Sequence, residues 1–141
     1  VFDAEGNPSV VLVSQYRPPY ERSIIEMPAG MRDIDGEDTA EVARRELTEE
    51  AGLEAGGLEL ITEILPSPGM TDSVTTLYLA TACVPVPHDR HGPEEEHMER
   101  LHVPLADAVA MVERGEIADA KTVIALLLTD KRLRASDHPY D

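Results

Sequence analysis

Residues 30–53, GMRDIDGEDTAEVARRELTEEAGL, are the stretch that decides the fold. Their second part predicts a helix over residues 38–51, because Asp38 can cap its N-terminus and Gly52 stands just beyond its end as a stop. The apolar positions of this helix recur at helical spacing and are expected to face the core; they are Ala40, Val42, Ala43 and Leu47. The stretch therefore predicts an amphipathic helix that is entered through a glycine-flanked loop.

Three carboxylates of this helix, Glu46, Glu49 and Glu50, are separated by three and four residues. At these spacings they project from one face and repel one another, and the helix dipole disfavours anions near the C-terminal end. A bound cation would remove both penalties, and oxygen ligands without cysteine or paired histidine favour Mg²⁺ or Mn²⁺. The alternative is a solvated acidic face of the helix with Arg44 and Arg45 as partners of the carboxylates.

The rest of the chain predicts strands mixed with helices. Strands are predicted over residues 9–17, 24–30, 58–65, 73–83 and 101–103, and helices over residues 105–114 and 119–132. Residues 84–96 are rich in proline, histidine and acid, so they predict an exposed loop. With no repeat and no linker, this order predicts one α/β domain over residues 1–141, with helices on both sides of the sheet.

The chain begins at Val1, close to a strand, and we expect an N-terminal segment to be missing.

The charge balance is strongly acidic. Twelve basic and 28 acidic residues give a net charge of −16, which repels nucleic-acid backbones and anionic membranes. No apolar run approaches the roughly 20 residues that cross a bilayer, and no secretory signal pattern is seen. The single cysteine, Cys83, is expected to be a buried thiol. We therefore expect a cytoplasmic protein with neither nucleic acid nor membrane as a partner.

The order of fixed residues in the first stretch resembles the Nudix box. That family pattern is Gly, five residues, Glu, seven residues, Arg-Glu-aliphatic, any residue, Glu-Glu, any residue, Gly-aliphatic. Every fixed position from Glu37 onward matches. Gly30 and Glu37 enclose six residues rather than five, and the extra residue falls in the loop 31–36, where an insertion costs little. The resemblance implies a Nudix-type α/β/α sandwich, in which a mixed β-sheet is flanked by helices, and a metal-dependent pyrophosphohydrolase.

Other segments are similar to the ADP-ribose pyrophosphatase branch of that family, namely QYR at residues 15–17, EMPAG at 26–30 and PG at 68–69. In that branch a proline about fifteen residues beyond the box marks preference for ADP-ribose-like substrates, and Pro68 holds that place after Leu53. The branch usually has Ser-Asp-Glu after its Pro-Gly, whereas residues 71–73 are TDS, which leaves the sugar open. The resemblance implies a homodimer that converts ADP-ribose, or a related nucleoside diphosphate sugar, to AMP and ribose 5-phosphate.

The resemblance also implies the metal ligands. Glu46 and Glu50 would bind Mg²⁺ or Mn²⁺, with Glu49 assisting and the backbone carbonyl of Ala29 and the carboxylate of Glu96 completing the set. The ion would neutralise the bridging phosphates and lower the pKa of a bound water.

The catalytic base of the branch comes from a loop pattern of Glu, any residue, Glu, acid, then Ile or Met. Residues 94–98, EEEHM, fit this pattern with His97 in the acid place. Glu94 is therefore assigned as the base and joins Glu50 as a catalytic residue, while Glu95 and Glu96 stay open as alternatives for the base.

Four further residues receive roles from the resemblance. Arg17 would contact a phosphate or a dimer interface, and Glu26 and Met31 would be neighbours of the substrate. Each of these three has a structural alternative, such as a strand end in solvent or ordinary packing. Glu37 would support the site from outside the set of metal ligands.

Two other functions stay open. One is a catalytically silent module that senses ADP-ribose, although such modules usually lose box glutamates that are present here. The other is a house-cleaning hydrolase of damaged nucleoside triphosphates, against which Pro68 and the run 94–98 both weigh.

Overall fold

The apolar run SVVLV opens strand β1, Ser9–Arg17, in a computed structural model that describes residues 6–31, 36–87 and 98–135. A 3-10 turn at Pro18–Tyr20 reverses the chain into β2, Arg22–Glu26. The last strand, β7, Glu99–Pro104, pairs with the other edge of β1. Both pairings are antiparallel, and Val13 of β1 stands opposite Glu26 on one side and Arg100 on the other. Directly opposed residues point to the same face, so these three side chains share one side of the sheet.

The remaining elements follow in chain order. They are helix α1, Thr39–Glu46; a π-helical turn, Leu47–Ala51; strands β3, Leu53–Glu54, β4, Gly57–Ile64, β5, Thr75–Thr81, and β6, Val84–Pro85; and helices α2, Leu105–Glu113, and α3, Ala120–Ala135. Strand β3 pairs with β6 and β4 pairs with β5, so every strand pair in the described part of the chain is antiparallel.

The three-stranded sheet carries helices on both faces. On one face Leu12 of β1 packs with Leu105 and Ala108 of α2 and with Leu126 of α3, and all four are at most 4% exposed. Burial of each such leucine contributes about 1.5–3 kcal/mol to folding. The opposite face carries Arg100, which reaches the π-helical turn. Helices on both sides of a sheet are the arrangement that the sequence predicts.

The ends of the first helix agree with the sequence prediction. The Asp38 carboxylate accepts a hydrogen bond from the N–H of Ala40 at 3.1 Å, as a helix N-cap does. Gly52 ends the helix in the left-handed conformation, with φ 66°, and its N–H binds the carbonyls of Leu47 and Thr48. The π-helical geometry of the last five residues has no counterpart in the prediction.

The prediction of a loop over residues 84–96 is wrong at its start, because residues 84–85 form strand β6, which pairs with β3. A two-residue strand has no periodicity by which the sequence could reveal it. Cys83 is only half-buried rather than fully buried, and this burial raises the pKa of its thiol. No helix among the described residues is long and apolar enough to cross a membrane.

Glu26, the last residue of β2, is a carboxylate that is only 3% exposed. Arg17 donates to it from Nε at 2.8 Å and from Nη2 at 3.0 Å, and Lys121 of α3 donates from Nζ at 3.0 Å. Burial alone would raise the pKa of Glu26, but the hydrogen bonds and charges of these two cations outweigh it and lower the pKa. The ionised carboxylate thereby joins β1, β2 and α3.

A hydrogen-bond chain fastens the start of α3 to the residue that follows β2. The hydroxyl of Thr122, which is fully buried, donates to Oδ2 of Asp119 at 2.6 Å and accepts from the N–H of Met27 at 2.8 Å. Nζ of Lys121 also binds Asp119, at 3.0 Å. The position at which the chain leaves β2 is therefore set by α3, and the next residues form the candidate site.

We expect Glu26→Gln to lower the free energy of unfolding by about 2 kcal/mol at pH 7, since breaking a buried pair costs about 3–5 kcal/mol and the partly exposed Arg17 recovers solvation. The pKa of Glu26 is lowered on folding, so its contribution is present above the pKa of an unfolded carboxyl group and is lost as the pH falls through the folded pKa. The difference from the wild type should therefore shrink below about pH 4.

Urea unfolding at pH 7 and at pH 3 measures this difference. Glu116→Gln is the matched control, because Glu116 pairs with Arg114 on the surface and both side chains are at least half exposed; no change is expected there. An equal loss for Glu26→Gln at both pH values would contradict the ionic role.

Candidate active site

Ala29 and Gly30, which follow β2, lie against two carboxylates of the first helix. The N–H of Ala29 donates to Oε2 of Glu50 at 2.9 Å. The side chain of Glu46 packs onto Gly30 so closely that a Cβ at position 30 would overlap Cδ and Oε1 of Glu46. Only glycine leaves this space open. The loop and the helix, separated in sequence by some sixteen residues or more, thus bring Glu46 and Glu50 to one place.

The π-helical turn separates Glu49 from the other two carboxylates. A π-helix has more residues per turn than an α-helix, so each residue rotates through a smaller angle. The side chain of Glu50, four positions after Glu46, then stays near the helix face on which Glu46 lies. The side chain of Glu49, three positions after Glu46, is rotated away from that face. In agreement with this, Glu49 lines an open groove of about 430 Å³ together with Arg44 and Glu54. The sequence predicts all three carboxylates on one face, and the structure brings only Glu46 and Glu50 together at the loop.

Arg45 connects the far end of the loop to the helix. Its guanidinium binds the carboxylate of Glu37 and the carbonyl of Met31, the latter at 3.4 Å, and its Nη2 lies 4.0 Å from Oε1 of Glu46. Glu37 is thus linked to Glu46 through Arg45, and the supporting role expected for Glu37 stays a prediction. Residues 32–35, where the extra residue of the loop falls, lie outside the described residues.

The carboxylates of Glu46 and Glu50 suit a hard divalent cation. Mg²⁺ is typically bound through one or two carboxylates, with waters and substrate phosphates filling the other positions. The space that Gly30 leaves open is filled by one of these two carboxylates. Within residues 6–31, 36–87 and 98–135, no group of three or more His, Cys, Asp or Glu side chains is arranged to hold a metal. The described residues therefore bring two carboxylates together, and a metal site at them stays a prediction.

Glu94, Glu95 and Glu96, the candidates for the base and a further ligand, lie outside the described residues. The chain on either side of them is attached to the end of the π-helical turn. Upstream, the N–H of Val86 donates to the carbonyl of Gly52 at 3.0 Å. Downstream, Nε of Arg100 donates to the carbonyl of Glu50 at 2.8 Å.

The three predicted substrate contacts occupy different environments. Glu26 is buried in the ion network with Arg17 and Lys121, and both of its oxygens accept hydrogen bonds there. Arg17 keeps 45% of its side chain exposed, and Met31 is 81% exposed.

A cavity of about 1250 Å³ begins beside Glu46, Gly30 and Met31 and continues between β5 and α3. Ligand cavities commonly measure roughly 300–1,000 Å³. This one is therefore large enough for a nucleotide sugar.

Sequence reasoning missed two residues that position the site, Arg100 and Lys121. Nothing in the sequence indicates the contact of Lys121 with Glu26. Arg100 lies at the polar start of β7, ERLHVP, and its register position opposite Val13 is known only from the structure.

A model of the NUDIX domain family matches residues 1–126. The "ADP-ribose pyrophosphatase" of Bacillus subtilis (strain 168) is 39% identical over 117 residues, which are 83% of this chain and 63% of that protein. The "ADP-ribose pyrophosphatase" of Mycobacterium tuberculosis (strain ATCC 25618 / H37Rv) is 35% identical over 123 residues, which are 87% of this chain and 59% of that protein.

A solved structure, "Crystal structure of ADP compounds hydrolase", superposes with a TM-score of 0.79 at 27% sequence identity, over 89% of this chain and 66% of that one. This likeness confirms the Nudix-type α/β fold. The chain spans 63% and 59% of the length of the two pyrophosphatases. Since the family model covers all but the last 15 of its 141 residues, the chain belongs to the NUDIX domain family.

Proposed function

We propose that this chain hydrolyses the pyrophosphate linkage of ADP-ribose, or of a related nucleoside diphosphate sugar, to give AMP and ribose 5-phosphate. The observation that carries the proposal is the meeting of Glu46 and Glu50 at the Ala29–Gly30 loop. The names of the two relatives and of the solved structure support ADP-ribose as the substrate class.

Glu46 and Glu50 would hold a Mg²⁺ or Mn²⁺ ion, with Glu49, Glu96 and the carbonyl of Ala29 as further ligands. When bound, the ion supplies positive charge to the diphosphate and lowers the pKa of a bound water. This charge is needed because the chain carries a net charge of −16 and the substrate is itself an anion.

The other residues of the site have separate roles in the reaction. The N–H of Ala29 orients the carboxylate of Glu50, and Gly30 leaves the space that Glu46 occupies. Glu94 accepts the proton of the attacking water, a role that usually contributes about 10²–10⁴-fold to the rate. Attack in line on one phosphorus expels the other phosphate ester.

The cavity beside Met31 would receive the rest of the substrate. Arg17, which keeps 45% of its side chain exposed, and Glu26, which pairs with it, complete the proposed substrate contacts. The proposal further includes a homodimer, which rests on the resemblance to the ADP-ribose pyrophosphatase branch, and a cytoplasmic location, which rests on the single cysteine, Cys83.

A substrate screen tests the proposal directly. The purified chain is incubated with Mg²⁺ or Mn²⁺ and with ADP-ribose, other nucleotide sugars, dinucleoside polyphosphates and nucleoside triphosphates, and the products are separated and identified by ion-exchange chromatography. We expect the highest kcat/KM for ADP-ribose or another nucleotide sugar. Preference for nucleoside triphosphates would favour the house-cleaning reaction, and no turnover of any compound would exclude the enzyme.

A second prediction contrasts two neighbouring carboxylates. Glu50→Gln should lower kcat by roughly 10²-fold or more and weaken Mn²⁺ binding, because it removes an anionic ligand. The fold should persist, because the glutamine oxygen can still accept from the N–H of Ala29. Glu49→Gln should have a smaller effect, since Glu49 lines the open groove.

Kinetics and the electron paramagnetic resonance signal of free Mn²⁺ measure both effects. Glu54→Gln is the control, because Glu54 is an exposed carboxylate of the same groove. If Glu49→Gln lost as much activity as Glu50→Gln, the result would contradict the different roles that the π-helical turn suggests for Glu49 and Glu50.

A third prediction concerns the base. Glu94→Gln should reduce kcat by about 10²–10⁴-fold while the Mn²⁺ dissociation constant stays unchanged, because a general base is not a metal ligand. The same measurements on Glu95→Gln and Glu96→Gln identify the base among the three. If either of these variants shows that pattern while Glu94→Gln does not, the assignment of Glu94 is wrong.

A further inference from the structure

Arg100 of β7 contacts the residue that carries one of the two carboxylates. Its side chain lies on the face of the sheet that carries Val13, and its Nε donates to the backbone carbonyl of Glu50 at 2.8 Å. The guanidinium also lies over Gly52. A Cβ at position 52 would stand 2.9 Å from Nη1 and 3.3 Å from Cζ of Arg100. Gly52 is thus required both for its φ of 66° and for the room that it leaves to Arg100.

The carbonyl that Arg100 binds belongs to a class of backbone groups that need an external partner. The last carbonyls of a helix have no N–H donor within the helix. A guanidinium satisfies such a carbonyl with a charge-assisted hydrogen bond, and a cation at a helix C-terminus is favourable. Arg100 therefore fixes the main chain where the π-helical turn ends.

Glu50 is consequently held at both of its ends by different elements. Its carboxylate accepts from the N–H of Ala29, in the loop after β2, and its carbonyl accepts from Arg100, in β7. With the main chain and the terminal oxygen both fixed, the side chain between them has little freedom left.

We infer that Arg100 is a positioning residue that sets the carboxylate of Glu50 for metal binding. The inference rests on the metal role proposed for Glu50. Arg100 acts through the backbone carbonyl of that residue, to which its Nε donates.

Charge and geometry predict opposite effects of removing Arg100. A guanidinium near a divalent cation repels it, so if Arg100 acted through charge alone its loss would tighten metal binding. If it positions Glu50, its loss weakens metal binding. Lysine keeps the charge but has neither the Nε–H nor the planar fork of arginine, so Arg100→Lys isolates the geometric effect.

The test is the Mn²⁺ dissociation constant, measured without substrate from the paramagnetic resonance signal of free Mn²⁺. Arg100→Lys and Arg100→Met should both raise it, by roughly tenfold, as the loss of a residue that orients a metal ligand does. The matched control is Arg132→Met. Arg132 also donates to backbone carbonyls, those of Leu60 and Ile61 at 3.1 and 3.2 Å, and its loss changes the net charge equally. The control should keep the wild-type constant.

Steady-state kinetics separates positioning from a general loss of structure. At saturating Mn²⁺ we expect Arg100→Lys to recover a kcat within about two-fold of the wild type, with an unchanged KM for ADP-ribose. Should Arg100→Lys fail to fold, Gly52→Ala displaces the same guanidinium from the other side and should raise the Mn²⁺ constant as well.

If Arg100→Lys had the wild-type Mn²⁺ dissociation constant and Arg100→Met bound Mn²⁺ more tightly, Arg100 would act through its charge alone. That result would overturn the inference. Glu50→Gln, measured in parallel, separates the two proposals. If Glu50→Gln weakens binding and Arg100→Lys does not, the positioning role is wrong and the metal role stands. If Glu50→Gln leaves binding unchanged, both are wrong.

Discussion

Gly30 packs its bare Cα against the carboxylate of Glu46, and this contact fixes where the loop after β2 meets the first helix. Any larger residue at position 30 would displace Glu46 or move the loop away from the helix. Once the loop is in place, the N–H of Ala29 stands within hydrogen-bonding distance of Glu50. The ion network around Glu26 and the bond from Met27 to Thr122 hold the other end of the same loop. The candidate site is thus a loop clamped between two helices, α1 and α3.

The π-helical turn gives neighbouring carboxylates different surroundings. In a regular α-helix Glu46, Glu49 and Glu50 would repel one another on one face. The wider turn keeps Glu50 beside Glu46 at the loop and leaves Glu49 along the open groove. π-helical turns are rare and occur frequently at functional sites. Here the turn ends at Gly52, where bonds from Arg100 and Val86 fix its last carbonyls.

Sequence analysis predicted the elements whose signal is local. Strand β1 has the predicted bounds, and the first helix has the predicted cap at Asp38 and the predicted end at Gly52. The paired strands of residues 53–54 and 84–85 were missed, because two residues carry no periodicity. The spacing of the glutamates indicated a metal site but assumed regular helical rotation, which the π-helical turn breaks. The contacts of Arg100 and Lys121 join segments far apart in the chain, and such contacts leave no pattern in a single sequence.

Burial does not by itself mark a carboxylate as functional in this chain. Glu26 is the most deeply buried glutamate among the described residues, yet two cations bind its oxygens, and its lowered pKa reflects a structural ion network. The carboxylate of Glu50 accepts from the neutral N–H of Ala29, and such a bond orients an anion without cancelling its charge. The attraction of a carboxylate for a divalent cation falls when other cations lie in contact with it, as they do at Glu26. Each oxygen of Glu26 has a cation within 3.0 Å, whereas Arg45 lies 4.0 Å from Glu46. How closely cations approach a carboxylate, more than its depth of burial, therefore separates the structural Glu26 from Glu46, a proposed metal ligand.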